Sequence, residues 1–346
     1  MLKRFLPAAM AAAIAVVGGE AAAETRVLKV QTSQNAGDAT LTYLREKWVP
    51  RVETMSGGSL KLKLLPTGST VPPKQTIDAV ANGILDGQIT AVSYFSGRDP
   101  VFALIGDLIA GYDRPDQVQM FCMNGGGKEI LQTAMDKYTD NGVHVVGCGA
   151  YYKEAFVSTV PIRGVDDFEG IKVRSPGGLA SAVFERAGAT PAPIPFSEVY
   201  TSLEKGLIDA ADASSYLNNA SKGFYQVAPY PIYPGIHSMS VQDFTINADV
   251  WESLSAPDRE VLRTWYLAAF TDLRRHSQIE GRELAAKHRS GDGPVKEIID
   301  WPQSERDRFR EIAKGAWKNY AQQSDLARQA YESHLSFMKA LGLLTE

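Results

Sequence analysis

The sequence predicts an α/β protein with two domains. Alternating strand patterns and helix-period patterns follow one another along most of the chain, which is typical of α/β layers. The chain of 346 residues is longer than one hydrophobic core usually serves, so two cores are expected. Its 44% hydrophobic and 22% charged content is ordinary for globular proteins and excludes disordered, collagen-like and coiled-coil classes.

The first 23 residues have the pattern of a secretory signal peptide. Lys3 and Arg4 precede an apolar run over residues 5–17, and three alanines stand at 21–23. A buried N-terminal helix, the other interpretation, would not need this order of charge, apolar run and small residues. We therefore predict cleavage after Ala23 and a soluble protein in the periplasm, since no later segment reaches the roughly 18 apolar residues of a membrane span.

The first domain is predicted to open with a βαβ unit. Alternation over residues 27–32 indicates a strand, and Leu41, Leu44, Trp48 and Val52 have the spacing of one helix face. The Ser-Gly-Gly-Ser run at 56–59 ends that helix. Further elements are predicted in order as follows: strand 60–66, helix 75–82, strand 87–93 and strand 143–148.

A second domain is predicted to begin near Tyr151. Its pattern is a turn and strand at 168–174, a helix at 179–187, a helix at 196–206 and a strand at 208–213. Ser255-Ala256-Pro257 starts a long helix that runs through Ala286, and residues 304–341 form two helices broken near Ser324. The expected division is 1–23 signal peptide, 24–150 with about 237–275 as the first domain, 151–236 as the second domain, and 276–346 as bracing and C-terminal helices.

Charge and cysteine content exclude several classes of function. The chain has 36 basic and 40 acidic residues and no basic block, so nucleic acid is not an expected partner. Cys122 and Cys148 are too few for a zinc or iron–sulfur site. In an oxidising compartment these two residues either pair or remain separate buried thiols, and the sequence leaves both alternatives open.

Catalytic motifs are absent from the sequence. The five histidines show no HExxH spacing, and there is no GxSxG nucleophile elbow. Gly125-Gly126-Gly127-Lys128 lacks the spacing of a phosphate-binding loop and is interpreted as a turn before a helix. The protein is therefore not expected to be an enzyme.

Arg174 is the most informative single residue. It lies at the end of a predicted strand, followed by Ser175-Pro176-Gly177. Ligands of open α/β sheets bind outside the carboxyl ends of strands, and the planar guanidinium suits a carboxylate bound by two parallel hydrogen bonds. The alternative interpretation, which an arginine considered in isolation would favour, is a solvent-exposed side chain at the end of a strand.

Several motifs together resemble the extracytoplasmic solute receptors of TRAP transporters. The segments are 167–177, 188–191, 195–200 and 203–210, and the resemblance covers about residues 27–341. It implies a two-domain periplasmic binding protein fold, type II-like, braced by a long helix near the C-terminus. It also implies capture of an organic acid for a TRAP-type membrane permease. A secreted enzyme or a sensor-feeding receptor on the same scaffold is the alternative.

Residues 230–237 and 246–251 resemble the branch that binds α-keto acids and related monocarboxylates. That branch carries a cation, sodium or calcium, beside the bound carboxylate. Its metal ligands would fall at Glu154, at Asp212-Ala213 and at Ser238, where the branch expects glutamine, Glu-Trp and glutamate. Because this chain departs at each position, the resemblance leaves open whether the ion is retained, and Gln242 or Asp243 would be further oxygen donors.

The resemblance also implies a set of ligand contacts and an oligomeric state. Besides Arg174 and Glu154, the expected contacts are aromatic or amide side chains at Tyr94, Phe95, Tyr151, Tyr152, Tyr216 and Asn218. Ala213 replaces a tryptophan, so the pocket has room for a medium-sized 2-oxo or 2-hydroxy monocarboxylate. A dicarboxylate would need a second cation, for which Lys153 is the candidate. A C-terminal helix exchanged between subunits would give a homodimer, whereas packing of that tail on its own domain is the alternative.

Overall fold

A computed structural model describes residues 25–236 and 238–344. The predicted signal peptide and its cleavage site at Ala23 lie outside the described residues. Within them, no helix combines the length and the apolar character needed to cross a membrane. The two domains of the predicted α/β fold each contain one β-sheet.

The first sheet has five strands in the order β2-β1-β3-β9-β4. They are β1 Arg26–Thr32, β2 Leu60–Leu65, β3 Gly87–Ala91, β4 Val143–Ala150 and β9 Val241–Asn247. β1 pairs in parallel with β2 and with β3, whereas β9 is antiparallel to both β3 and β4. Strand β9 thus belongs to the first sheet, although it follows all strands of the second sheet in the sequence.

Strand β9 was not predicted, although polar and apolar side chains alternate over residues 243–247. All seven residues of Val241–Asn247 are buried, and the polar ones hydrogen-bond groups of several segments of the first domain. Asp243 accepts from Gln88 Nε2 at 2.8 Å, and Ser33 Oγ donates to Gln242 Oε1 at 2.8 Å. Because both faces of this central strand are covered, its polar side chains are buried as well and depend on tertiary partners for their hydrogen bonds.

The second sheet has four short strands in the order β5-β8-β6-β7. They are β5 Val157–Ser158, β6 Lys172–Ser175, β7 Thr190–Pro193 and β8 Ala210–Ala211. β6 is parallel to β7 and β8, and β5 is antiparallel to β8. The strand predicted over 208–213 is therefore only two residues long, and the chain leaves the sheet at Asp212.

Ten short or medium helices pack on the two sheets in the described part of the chain before the final helical region. They are α1 Ala39–Tyr43, α2 Val49–Met55, α3 Thr76–Ala81, α4 Val101–Gly106, α5 Pro115–Asn124, α6 Gly127–Thr139, α7 Gly178–Arg186, α8 Val199–Glu204, α9 Tyr216–Ser221 and α10 Phe224–Val227. A π-helical turn, Leu44–Trp48, joins α1 to α2. The predicted helix face is confirmed, since Leu41, Leu44, Trp48 and Val52 are all buried.

A long helix braces the first sheet. After α11, Ala248–Ser253, helix α12 spans Ala256–Arg289, 34 residues. Ser255 caps it, with Oγ accepting from the Asp258 amide at 3.1 Å, as the cap-and-proline start predicts. Trp265, Tyr266 and Phe270 are buried against the first sheet and its helices. The helix extends three residues beyond the predicted end at Ala286.

Two final helices, α13 Gln303–Ala321 and α14 Asp325–Ala340, are separated where the sequence predicts the break. Ser324 caps α14, with Oγ accepting from the Ala327 amide at 3.0 Å. Met338 is fully buried in the core that contains α4 and α6, and Leu341, Leu343 and Leu344 pack against that core. The tail thus completes the core that contains α4 and α6.

Cys122 on α5 and Cys148 on β4 form a disulfide, with 5.8 Å between their Cα atoms. The sequence left pairing and separate thiols open, and the structure selects pairing. The bond ties α5 to the strand that it covers. The neighbouring glycine-rich run is a turn, as expected: Gly126 has a φ of +87°, and α6 begins at Gly127.

Candidate functional site

A polar cavity lies between the two sheets. It contains about 480 Å³ of empty space, including space open to solvent. Most of its walls come from segments that follow strands: Ser33 after β1, Tyr94 after β3, Pro176 after β6 and Ser214 after β8. This is the position at which open α/β sheets bind ligands, because the carboxyl ends of parallel strands converge there.

Arg174 provides the positive charge of the cavity. The side chain is only 3% exposed. Its Nε donates to the Ile194 carbonyl at 2.8 Å and its Nη1 donates to the Asp212 carbonyl at 2.6 Å, while the guanidinium lies 5.8 Å from the centre of the Phe196 ring. Nη2 donates no hydrogen bond to any residue that the structure describes. The guanidinium is therefore held rigidly with one nitrogen left to bind a ligand.

Three carboxyl groups stand near Arg174. Ser238 Oγ lies 2.7 Å from Asp107 Oδ2 and 2.8 Å from Asp212 Oδ2, and Glu154 hydrogen-bonds Asp212. A hydroxyl has a single proton and can donate to only one of two carboxylates. The second contact of Ser238 thus requires a proton on one of the aspartates.

The pKa values of these carboxyl groups agree with that requirement. Burial and the charge of Asp212 raise the pKa of Asp107 to about 7, although bonds from Ser238 and the Met239 amide oppose the rise. Burial raises the pKa of Asp212 to about 6. Burial and the two aspartates raise the pKa of Glu154 well above its usual value. Glu154 is therefore the protonated donor of its pair with Asp212, and the cluster holds protons at neutral pH.

The remaining walls offer hydroxyl and amide groups. Burial raises the pKa of Tyr94, and the opposing effect of the Arg174 charge is smaller. The Tyr94 hydroxyl therefore stays neutral. Tyr152 accepts a hydrogen bond from Ser214 Oγ at 2.7 Å. Ser93 Oγ and Gln34 Oε1 are buried without a protein partner in the described part of the chain. These two groups are free to bond a ligand.

Tyr94, Tyr152, Glu154, Arg174 and Ala213 line the cavity, as the sequence predicts. The structure does not bring four other predicted contacts to it: Phe95, Tyr151, Tyr216 and Asn218.

Phe95 and Tyr151 pack in the hydrophobic cores instead, against Phe102 and Phe270. The physical reason is local: adjacent residues on a strand or tight turn point in different directions, so Tyr94 and Tyr152 face the cavity while their neighbours do not.

Tyr216 and Asn218 support the site from behind. The Tyr216 hydroxyl lies 2.6 Å from His288 Nδ1, on the side of α12. Asn218 Nδ2 donates to Ser214 Oγ at 2.9 Å, and Ser214 in turn bonds Tyr152. Asn218 is therefore placed to orient a cavity residue without lining the cavity.

Several lining residues were missed by sequence reasoning. Ser33 and Gln34 follow β1, and the strand-end rule that selects Arg174 would also have selected them. Asp107 follows α4, and Phe196 begins a short 3₁₀ turn after Pro195. Nothing local marks these two, because each reaches the cavity only when segments distant in sequence are brought together.

The predicted metal ligands converge without forming a metal cage. Glu154, Asp212 and Ser238 come together, but their oxygens hydrogen-bond one another and Asp107. Ala213 contributes no side-chain oxygen. No three histidine, cysteine, aspartate or glutamate side chains of residues 25–236 and 238–344 are arranged to hold a metal ion. A calcium ion takes six to eight oxygen ligands, which this donor set does not supply.

Solved structures of other proteins share this fold. A TRAP periplasmic solute binding protein from Rhodobacter sphaeroides, solved in an apo open structure, has 36% sequence identity and a TM-score of 0.76, covering 93% of this chain and 100% of that one. A TRAP periplasmic solute binding protein from Pseudoalteromonas atlantica, solved with bound sodium and pyruvate, has 21% identity and a TM-score of 0.79, covering 92% and 96% of the two chains.

Among curated relatives, the monocarboxylate 2-oxoacid-binding periplasmic protein of Nostoc sp. is 25% identical over 293 residues, which are 84% of this chain and 78% of that protein. Residues 31–323 match the family model described as bacterial extracellular solute-binding protein, family 7. Because this family model matches most of the chain, the chain belongs to the family 7 extracellular solute-binding proteins, the DctP family of TRAP solute receptors.

Proposed function

We propose that this protein is the periplasmic receptor of a TRAP transporter and that it binds a 2-oxo or 2-hydroxy monocarboxylate for delivery to a membrane permease. The observation that carries the proposal is the buried Arg174 in the cavity between the sheets. Two backbone carbonyls hold its Nε and Nη1, and Nη2 is left for the ligand. A carboxylate is the group that such a guanidinium binds most strongly.

The charge of the cavity supports a monocarboxylate. Arg174 is the one cationic residue among the described residues that line it. A dicarboxylate would bury its second charge in this cavity without a second cation to pair with it. Lys153, the candidate second cation, lines a different cleft together with Arg274 and Arg282.

The uncharged walls support a small polar group next to the carboxylate. The Tyr94 and Tyr152 hydroxyls, together with the unpartnered Ser93 Oγ, can donate to or accept from an oxygen on the second carbon of the acid. Ala213 is small and Phe196 supplies an aromatic face, which suits an acid with a medium-sized side chain. The relative from Nostoc, named for 2-oxoacid binding, is consistent with this class.

The test is a thermal-shift screen of organic acids, followed by mass spectrometry of whatever the purified protein releases on denaturation. We expect 2-oxo and 2-hydroxy monocarboxylates to raise the melting temperature, because a ligand that binds only the folded state stabilises it. The released acid should be chemically unchanged, whereas an enzyme on this scaffold would convert it. Stabilisation by dicarboxylates or neutral sugars alone would contradict the proposal.

We further propose that acid binding does not depend on a divalent cation. In this chain Asp212 is hydrogen-bonded to both Glu154 and Ser238, and burial raises the pKa values of both carboxyl groups, which favours bound protons over a bound ion. Dialysis against a chelator should change the affinity for the preferred acid by less than about twofold, since no ligand-bridging ion would be lost. Isothermal calorimetry before and after dialysis measures this affinity. A large loss of affinity that added calcium restores would refute the expectation.

A further inference from the structure

A second cleft shares one wall, Tyr152, with the Arg174 cavity. It contains about 1210 Å³ of empty space, including space open to solvent. One side is a face of α12, where residues 271, 274, 275, 278 and 282 recur at helical spacing. The other sides include residues 113–116, at the start of α5, and the loop at Tyr233–Pro234.

The charge of this cleft is opposite to that of the whole chain. The protein has more acidic than basic residues, yet five cationic and two acidic side chains line the cleft. Both acids have basic partners, since Asp113 bonds Arg310 at 2.5 Å and Asp116 bonds Arg114 at 3.2 Å. Four lining cations form no salt bridge with any residue that the structure describes: Lys153, Arg274, Arg275 and Arg282.

Two of these cations are partly buried and held only by neutral acceptors. Lys153 Nζ donates to the Asp113 carbonyl at 3.4 Å, and Arg274 Nη1 donates to the Ala150 carbonyl at 3.1 Å. Burial lowers the pKa of Lys153 to about 8, and the charge of Arg306 acts in the same direction. Burial thus makes the charged form of Lys153 less favourable than it is in water, and an anion in the cleft would offset that cost.

We propose that this second cleft binds a small multivalent anion, a tricarboxylate or a pyrophosphate, independently of the acid in the Arg174 cavity. Four cations without salt-bridge partners line one cleft, so an anion with more than one charge can interact with more than one of them. A monocarboxylate would leave most of the cations unpaired. The cleft would therefore select for charge number, whereas the Arg174 cavity selects a single carboxylate.

Calorimetric titration with citrate and with pyrophosphate at low ionic strength tests the site. Arg174→Ala removes the cation of the first cavity, and we expect it to leave citrate or pyrophosphate affinity within about twofold of the wild type. The double variant Arg275→Ala/Arg282→Ala should weaken that affinity by about tenfold or more, because it removes two cations that face the cleft. It should leave the affinity for the preferred monocarboxylate unchanged, so binding in the Arg174 cavity is measured separately from binding in the second cleft.

The matched control is Arg263→Ala/Lys287→Ala, which removes the same charge from the same helix outside the cleft. It should bind the anions as the wild type does. Equal weakening by both double variants would reduce the effect to net charge and overturn the proposal. Absence of binding to either probe would overturn it as well, as would binding that is abolished by Arg174→Ala and survives in Arg275→Ala/Arg282→Ala.

Discussion

Arg174→Ala is expected to weaken binding of the natural acid by at least about thirtyfold. Removing one partner of a desolvated ion pair costs about 2–5 kcal/mol, because the ligand carboxylate is then buried without a counter-charge. Titration calorimetry measures the affinity. Unchanged affinity would mean that the acid binds elsewhere on the protein.

Two variants separate this role from a purely structural one. Arg174 also satisfies the Ile194 and Asp212 carbonyls, so its loss should lower the free energy of unfolding as well, by about 1–3 kcal/mol. Arg174→Lys keeps the charge but loses the planar fork, and its affinity should lie between those of the wild type and Arg174→Ala. Lys172→Ala, which removes an exposed charge from the same strand, should change neither quantity.

Gly235→Ala is expected to destabilise the fold by about 3 kcal/mol or more and to weaken acid binding. A Cβ at this position would lie 2.1 Å from the Glu154 carbonyl oxygen, and the backbone φ is +106°, which L-residues rarely adopt. Backbone must therefore move, and the segment that moves carries Glu154 to the cavity wall. Urea unfolding gives the stability change, and calorimetry gives the affinity.

Gly170→Ala is the matched control for this prediction. Gly170 also has a positive φ, +76°, but nothing lies within 4 Å of its Cβ position. Its substitution should cost only the backbone strain, about 1–2 kcal/mol, and should leave acid affinity unchanged. If Gly235→Ala costs no more than Gly170→Ala, the close approach to Glu154 does not constrain the site.

Local patterns in the sequence determined most of the element order. The helix face with Leu41, Leu44 and Trp48, the cap at Ser255 and the break at Ser324 were all predicted and are confirmed. Each depends on residues within a few positions of one another, where hydrophobic period and capping chemistry operate. The strand-end position of Arg174 belongs to the same class, since one short segment carries it.

Tertiary structure alone decided which side chains meet in the cavity. Strand β9 is buried on both faces, and two of its polar residues, Gln242 and Asp243, bond Ser33 and Gln88 from other segments. Asp107 reaches Ser238 across 131 positions of sequence. Such contacts carry no local signal, because they depend on how two sheets are placed rather than on neighbouring residues. Tyr94 and Tyr152 face the cavity while Phe95 and Tyr151 turn into the cores for the same reason: the packing around each segment sets its rotation.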